Sequence, residues 1–266
     1  MVTGLTGARK RERDLQRRAG RRAARQTGTA QESSGKDIAM TSSQAVRAVL
    51  AGLEHSRSWQ EELYRDVHRH PELPHQEHRT AALVAERLRS AGYQVHEGVG
   101  GTGVVGVLAN GEGPVVLLRA DMDALPVREA TGLPYASAVT ATDATGAEVP
   151  VMHACAHDAH VACLAGAAHL LAEGREHWTG TVVALFQPAE EAGDGARAMV
   201  ADGLAGLIPP PTVALAQHVM ALPAGQSSPA PDPCCRQQTA CGSPCTAAAP
   251  TARCRTPRSI RWCSRR

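Results

Sequence analysis

Helical and strand-like apolar patterns alternate through the middle of the chain. From Ser43 to Glu77 apolar residues recur at helical spacing between charged ones, and a second helix over Thr80–Ala91 ends before Gly92. Short continuous apolar runs follow, as is typical of buried strands. They read "YQVHEGV", "GVVGVLA", "PVVLLRA", "GTVVALF" and "TVALAQHV", with helices predicted near 159–173 and 194–202. The pattern predicts an α/β domain with a mostly parallel sheet flanked by helices.

The two ends of the chain differ from this middle segment in charge and composition. Residues 1–30 carry nine Lys/Arg against two acids, whereas residues 31–226 carry twelve against twenty-three. Residues 227–266 hold seven Arg and one Asp, and they contain no Val, Leu, Met, Phe or Tyr. We therefore predict a basic, disordered leader over 1–39, a partial α/β domain over 40–226 and an unstructured Cys/Arg/Pro-rich tail over 227–266. Met40 offers an alternative translation start.

Composition also limits the class of protein. The chain has no run of about 18 apolar residues that would cross a membrane, and its Arg-rich beginning lacks the apolar centre of a signal peptide. We therefore expect a cytoplasmic protein with no membrane partner. The leader could instead be a nucleic-acid-binding arm, but it has no aromatic residue to stack on bases and the middle segment is acidic. Nucleic acid is accordingly a disfavoured partner.

Four polar clusters each follow an apolar run directly. They are "RADMD" after "VVLL", "HACAHD" after "VPVM", "QPAEE" after "TVVALF" and "QHV" after "TVALA". In open α/β sheets, ligands bind beyond the carboxyl ends of the strands. We therefore expect the four clusters to meet in one site.

The residue types in these clusters are those of a transition-metal site. Cys155 and His157 are two positions apart, so both can face one way on an extended or looped backbone. Glu190 and Glu191 point apart on an extended backbone, so one can bind a metal while the other acts as general base. His218 supplies a further imidazole. Thiolate, imidazole and carboxylate ligands suit zinc, manganese, cobalt or nickel.

Neighbouring polar residues have supporting or unassigned roles. Asp121 and Asp123 are two positions apart, so one of them can orient a metal ligand through a hydrogen bond without binding the metal.

A rival interpretation is a thiol hydrolase that uses Cys155 with one of two nearby histidines, and it predicts activity that survives chelators. Those two histidines are His157 and His160. Four histidines otherwise fit ordinary helix or surface positions: His153, His160, His169 and His177.

Five motifs resemble a known family over about residues 59–226. In this order, "LYRDVHRHPELPHQEHRTA", "LLRADMDALPV", "MHACAHDAH", "FQPAEEAGDGARAMV" and "LAQHV" are similar to the metal-dependent amidohydrolases of the aminoacylase, hippurate hydrolase, carboxypeptidase and indole-acetyl amino acid hydrolase type. The resemblance implies a zinc-exopeptidase-like catalytic domain, incomplete here, that cleaves the amide bond of N-acyl amino acids with two divalent ions (Zn, Mn, Co or Ni). It also implies that Glu190 is the general base, which deprotonates the attacking water and protonates the leaving amine. The metal ligands implied are Cys155, His157, Glu191 and His218.

The chain departs from the family pattern in two places. The family usually has Gly between the Cys and the second His, where this chain has Ala156. If that position requires positive φ, Ala costs about 1 kcal/mol or more. Family members also continue into a smaller lid domain that mediates homodimerisation, and then return with a last His ligand. Here the tail follows instead, so we expect little or no activity from this chain.

The tail composition is explained by a shifted reading frame that begins near Gln226–Ser228. Read one frame over with suitable synonymous codons, the tail resembles the start of the family's lid domain. A zinc-binding or disulfide module is the alternative, but the cysteine spacing contains no CxxC pair. The tail cysteines are Cys234, Cys235, Cys241, Cys245, Cys254 and Cys263.

Overall fold

A computed structural model of the protein describes residues 41–220. The predicted leader, Met40 and the predicted tail therefore lie outside the described residues. In chain order the elements are α1 (Ser42–Leu50), α2 (Leu53–Arg69), α3 (His78–Ser90), β1 (Gln94–Val99), β2 (Gly103–Asn110), β3 (Val115–Asp121), β4 (Thr140–Thr142), β5 (Glu148–Pro150), α4 (His157–Glu173), a 3₁₀ helix (Arg175–His177), β6 (Gly180–Gln187), α5 (Gly195–Ala201), α6 (Leu204–Leu207) and β7 (Val213–Ala216). Each of the five predicted apolar runs overlaps one strand of the main sheet.

The strands of the main sheet lie in the order β1–β2–β6–β3–β7. β1–β2 and β2–β6 pair antiparallel, whereas β6–β3 and β3–β7 pair parallel. The sheet is therefore mixed, although a mostly parallel sheet was predicted. The difference arises at β1 and β2, because the short turn between them permits only antiparallel pairing, while parallel neighbours need a longer crossover. The predicted α/β class, with helices flanking a sheet, is confirmed.

Helices cover both faces of this sheet. On one face α2, α3 and α4 pack over the sheet through buried residues such as Val67, Leu88 and Val161, and the single Phe of the chain, Phe186, is fully buried there. On the other face Met199 of α5 packs against Val105, Val183 and Leu185. None of the described helices is both long and apolar enough to cross a membrane.

The carboxyl ends of β3, β6 and β7 lie at one edge of the sheet. Asp121 pairs with Gln187, and Arg119 pairs with Ala216, so the three parallel strands end at nearly the same level. The loop before α4 reaches this edge as well, since Met152 and Leu125 exchange backbone hydrogen bonds of 3.0 Å. The topology thus gathers the four polar clusters at a single edge.

Candidate metal centre

The imidazole of His157 lies at the centre of these clusters. The residue begins α4 and is fully buried. Its Nε2 lies 3.7 Å from Asp121 Oδ1, 3.9 Å from Glu190 Oε2 and 3.8 Å from Glu191 Oε1. His157 belongs to three groups of side chains whose donor atoms lie close enough to share one ion. In these groups it is joined by Cys155 and His218, by Asp121 and His160, or by Glu190 and Glu191. The structure therefore brings together the five residues predicted from the sequence to form the site, which are Cys155, His157, Glu190, Glu191 and His218.

The loop that carries Cys155 depends on an unusual backbone conformation at Ala156. This residue caps α4 with φ 64° and ψ 26°, in the left-handed region. The turn lets Cys155 and His157 both face His218, with Cys155 Sγ 3.5 Å from His218 Nε2. Glycine adopts this conformation freely, whereas an L residue with a Cβ is strained there by about 1–2 kcal/mol. The departure from the family's glycine therefore falls on a position that does require positive φ.

Asp123 holds His157 from behind. His157 Nδ1 lies 2.9 Å from the Asp123 carbonyl oxygen and 3.2 Å from its carboxylate Oδ1. Both atoms are acceptors, so Nδ1 donates its proton, and Nε2 is the ring atom that faces the cluster and offers its lone pair when the imidazole is neutral. The other carboxylate oxygen, Oδ2, accepts a 2.8 Å hydrogen bond from the Glu191 backbone. Asp123 thus orients the imidazole of His157 and fixes the backbone of Glu191, both of which are predicted metal ligands.

The two glutamates lie on a turn rather than on extended backbone. Ala189 before them has φ 48°, and its N–H donates a 2.8 Å hydrogen bond to the fully buried Glu77. On this turn both carboxylates approach the same atom, Nε2 of His157. The expectation that Glu190 and Glu191 point apart is therefore wrong, because strict alternation holds only for extended chain.

Burial and crowding of like charges shift the pKa values in the cluster. Burial, with help from Asp121 and Glu191, raises the pKa of Glu190. Burial and the nearby Glu191 raise the pKa of the Cys155 thiol to about 12. At Asp121 burial opposes ionisation, but the hydrogen bond from His160 and the charge of Arg119 prevail and lower its pKa to about 2. A cation placed among these groups would relieve the repulsion between the acids.

Three buried side-chain atoms at the centre lack hydrogen-bond partners among the described residues. One is Asp121 Oδ2, which is compensated by the charge of Arg119 at 2.9 Å. The other two are His157 Nε2 and Glu191 Oε1, which face each other across 3.8 Å. A buried polar atom left unpaired costs about 1–3 kcal/mol, so such a pair indicates an absent partner. The sulfur, nitrogen and oxygen donors around them suit zinc and neighbouring transition metals. The residues present therefore fit a divalent transition-metal ion.

Two histidines that have no role in the predicted metal centre are buried beside it. His160 is 6% exposed, and its Nδ1 lies 2.5 Å from Asp121 Oδ1. His153 is 4% exposed, neither of its ring nitrogens has a partner in the described part of the chain, and burial lowers its pKa to about 3. His160 could have been found from the sequence, because it lies three residues after His157 and therefore on the same face of the helix. His169 and His177 instead pair with nearby glutamates outside the cluster.

A second buried polar network lies behind the first turn of α4. His68, at the end of α2, places Nδ1 2.6 Å from Asp158 Oδ2 and Nε2 3.0 Å from Glu129 Oε1. Burial disfavours the charged imidazole, but the hydrogen bonds to Glu129 and Asp158 prevail and raise the pKa of His68. Glu129 also accepts hydrogen bonds from Ser137 and Thr131. The network anchors the residue next to His157, and no sequence signal revealed it, since its members are 61 and 90 positions from His68.

Fold and site together define the class of this segment as an α/β metallohydrolase-type domain, with side chains that could hold a metal ion gathered at the strand ends. A family model described as peptidase family M20/M25/M40 matches residues 117–234, a range that contains every nominated site residue. The family resemblance inferred from the five motifs is thereby confirmed: residues 117–234 match the model of peptidase family M20.

Curated relatives and solved structures agree with that assignment. N-acetyl-L-cysteine deacetylase from Bacillus subtilis is 45% identical over 140 residues, which cover 52% of this chain and 32% of that protein. Hippurate hydrolase from Campylobacter jejuni is 46% identical over 145 residues, covering 54% of this chain and 35% of that protein. The crystal structure of a dinuclear metal-binding peptidase of family M20 from Bacillus subtilis has a TM-score of 0.54 at 35% identity, covering 62% of this chain and 43% of that one. The chain thus spans about a third of the length of these curated relatives.

Proposed function

We propose that this chain is a metal-dependent amidohydrolase acting on the amide bond of N-acyl amino acids. The proposal is carried by two buried atoms, His157 Nε2 and Glu191 Oε1, which have no hydrogen-bond partner within residues 41–220. Cys155, His218 and Glu190 offer further donor atoms beside them. The substrate class is supported by two similar relatives whose names specify N-acyl amino acids, N-acetyl-L-cysteine and hippurate.

Each nominated residue has a role in this proposal. Cys155, His157, Glu191 and His218 would hold divalent ions, two by family resemblance, with zinc, manganese, cobalt and nickel as the candidates. A bound ion would supply Lewis-acid polarisation of the acyl carbonyl. The raised pKa of Glu190 suits a group that takes a proton from the attacking water and returns it to the leaving amine.

Metal content is the first test. The full chain is dialysed against each ion in turn, and the bound metal is counted by plasma mass spectrometry. We expect Glu191→Gln to lose metal and Glu190→Gln to keep it. Glu176→Gln serves as the matched control, because that side chain is 79% exposed and outside the cluster. A wild-type chain that retains no metal would overturn the proposed centre.

Hydrolysis of hippurate and of N-acetyl amino acids is the second test. Because the chain spans about a third of its curated relatives, we expect weak or absent turnover, and any turnover should depend on added metal. Glu190→Gln should lower that turnover about 100-fold or more while metal content is unchanged. Undiminished turnover in this variant would remove Glu190 as the base.

A thiol hydrolase using Cys155 remains the rival to be discriminated. Reactive cysteines have lowered pKa values, whereas the pKa of this thiol is raised to about 12, which argues against the rival. Turnover that survives a chelator and is abolished by thiol alkylation would favour the thiol hydrolase. Loss of turnover on chelation, restored by added metal, would favour the metal centre.

A further inference from the structure

We propose that His160 is a positioning residue, which holds the segment carrying His218 in place against Cys155 and does not itself bind metal. The inference rests on the proposed metal centre and deepens it, since it assigns a buried side chain of the cluster to supporting a ligand. It concerns a residue that the predicted metal centre left without a role.

The hydrogen bonds of His160 engage both of its ring nitrogens. The backbone N–H of Val219 lies 2.9 Å from His160 Nε2, and a backbone N–H can only donate. Nε2 is therefore the acceptor, and the ring proton lies on Nδ1, which donates to Asp121 Oδ1 at 2.5 Å. Neither nitrogen is left with a lone pair for an ion.

His218 needs such a support because it lies beyond the sheet. β7 is four residues long, and its pairing with β3 ends at Arg119 and Ala216. His218 itself is exposed, and its ring packs edge-on against His160 with centroids 4.7 Å apart. The bond from Val219 to His160 therefore fixes the backbone next to His218.

The other side of His160 is attached to an interior strand of the sheet. Asp121 ends β3, which lies between β6 and β7, and its Oδ2 forms an ion pair with Arg119 at 2.9 Å. Hydrogen bonds thus run from the buried Asp121 through the buried His160 to the backbone of Val219, whose own side chain is exposed. Supporting residues of this kind hold metal ligands in orientation, and their loss typically weakens metal affinity about 10- to 100-fold.

The competing interpretation makes His160 a metal ligand. Its donor atoms lie close enough to those of Asp121 and His157 to form such a group. Binding an ion through Nδ1 or Nε2 would break one of the hydrogen bonds described and leave either Asp121 Oδ1 or the Val219 N–H unpaired. Each loss costs about 1–3 kcal/mol, so the positioning role is favoured.

Zinc affinity of the full chain separates the two interpretations. The Zn²⁺ dissociation constant is measured by competition with a chromophoric chelator for wild type, His160→Ala, His160→Gln and His160→Asn. We expect about 10- to 100-fold weaker binding in His160→Ala. His160→Gln should recover most of the loss, because its amide oxygen reaches the Nε2 position and accepts from Val219, while an amide is a poor zinc ligand. His160→Asn is one atom shorter and should recover less.

A double-mutant cycle with His218→Ala completes the experiment. If His160 acts through His218, the double variant binds zinc no more weakly than His218→Ala alone. Additive losses, or no recovery in His160→Gln, would overturn the positioning role in favour of direct ligation. Unchanged affinity in His160→Ala would overturn this inference alone, whereas a wild type that binds no zinc would overturn the metal centre as well. Circular dichroism checks folding of each variant, and the exposed His55→Ala is the matched control.

Discussion

Replacing Ala156 with glycine is expected to stabilise the domain and to relax the loop between Cys155 and His157. The backbone of Ala156 is left-handed, at φ 64° and ψ 26°, which strains an L residue by about 1–2 kcal/mol. Glycine removes that strain but adds freedom to the unfolded chain, worth about 0.4–1 kcal/mol in the opposite direction. The net gain expected for Ala156→Gly is therefore about 0.5–1 kcal/mol.

Chemical and thermal unfolding measure this gain. For a domain of 150–250 residues, about 1 kcal/mol corresponds to about 2–4 °C in Tm, so Ala156→Gly should unfold about 1–4 °C higher than wild type. The urea midpoint should rise with an unchanged m-value. Both are measured with chelator present, so that metal binding does not contribute.

Ala167→Gly is the matched control for this substitution. Ala167 lies in the interior of α4 and has no positive φ, so the same chemical change should destabilise by about 1 kcal/mol. The two variants should therefore shift in opposite directions. If Ala156→Gly destabilises as much as Ala167→Gly, the left-handed backbone at position 156 is not strained, and the reasoning is refuted.

Two further predictions concern the supports around the centre. Gly195→Ala should destabilise by about 2–3 kcal/mol in urea unfolding, because its Cβ would lie 1.8 Å from the Pro188 carbonyl oxygen beneath the glutamate turn. A Cβ at Gly206 would meet no atom within 4 Å, so Gly206→Ala should leave the stability unchanged or increase it. Equal loss of stability in Gly195→Ala and Gly206→Ala would show that the contact with Pro188 is not the cause. Glu129→Gln should be less stable than wild type at neutral pH, with the difference shrinking as pH falls below about 4.5. Burial opposes ionisation of Glu129, but hydrogen bonds from Thr131, Ser137 and His68 prevail and lower its pKa, so the ionised carboxylate stabilises the folded state. A difference in urea midpoints that does not change with pH would refute this prediction.

Local patterns predicted the elements of this domain well. The apolar runs became strands, and the helix proposed near 159–173 forms over His157–Glu173. Those patterns depend on neighbours within a few residues, which is the range over which helix and strand periodicity acts. The strand order was not predictable in this way, because β2 pairs with β6 and β3 lies between β6 and β7, and these pairings join distant parts of the chain.

Sequence patterns alone were enough to predict candidate metal ligands, because Cys155, His157, Glu191 and His218 follow apolar runs whose strand ends meet at one edge of the sheet. How these side chains are held depends on contacts that form only in the folded domain. The turn that brings both glutamates to one atom depends on Glu77, 112 positions from Ala189, and His160 joins Asp121 and Val219 across 39 and 59 positions. Such contacts leave no trace in local periodicity, because they arise only when the sheet brings distant segments to the same edge.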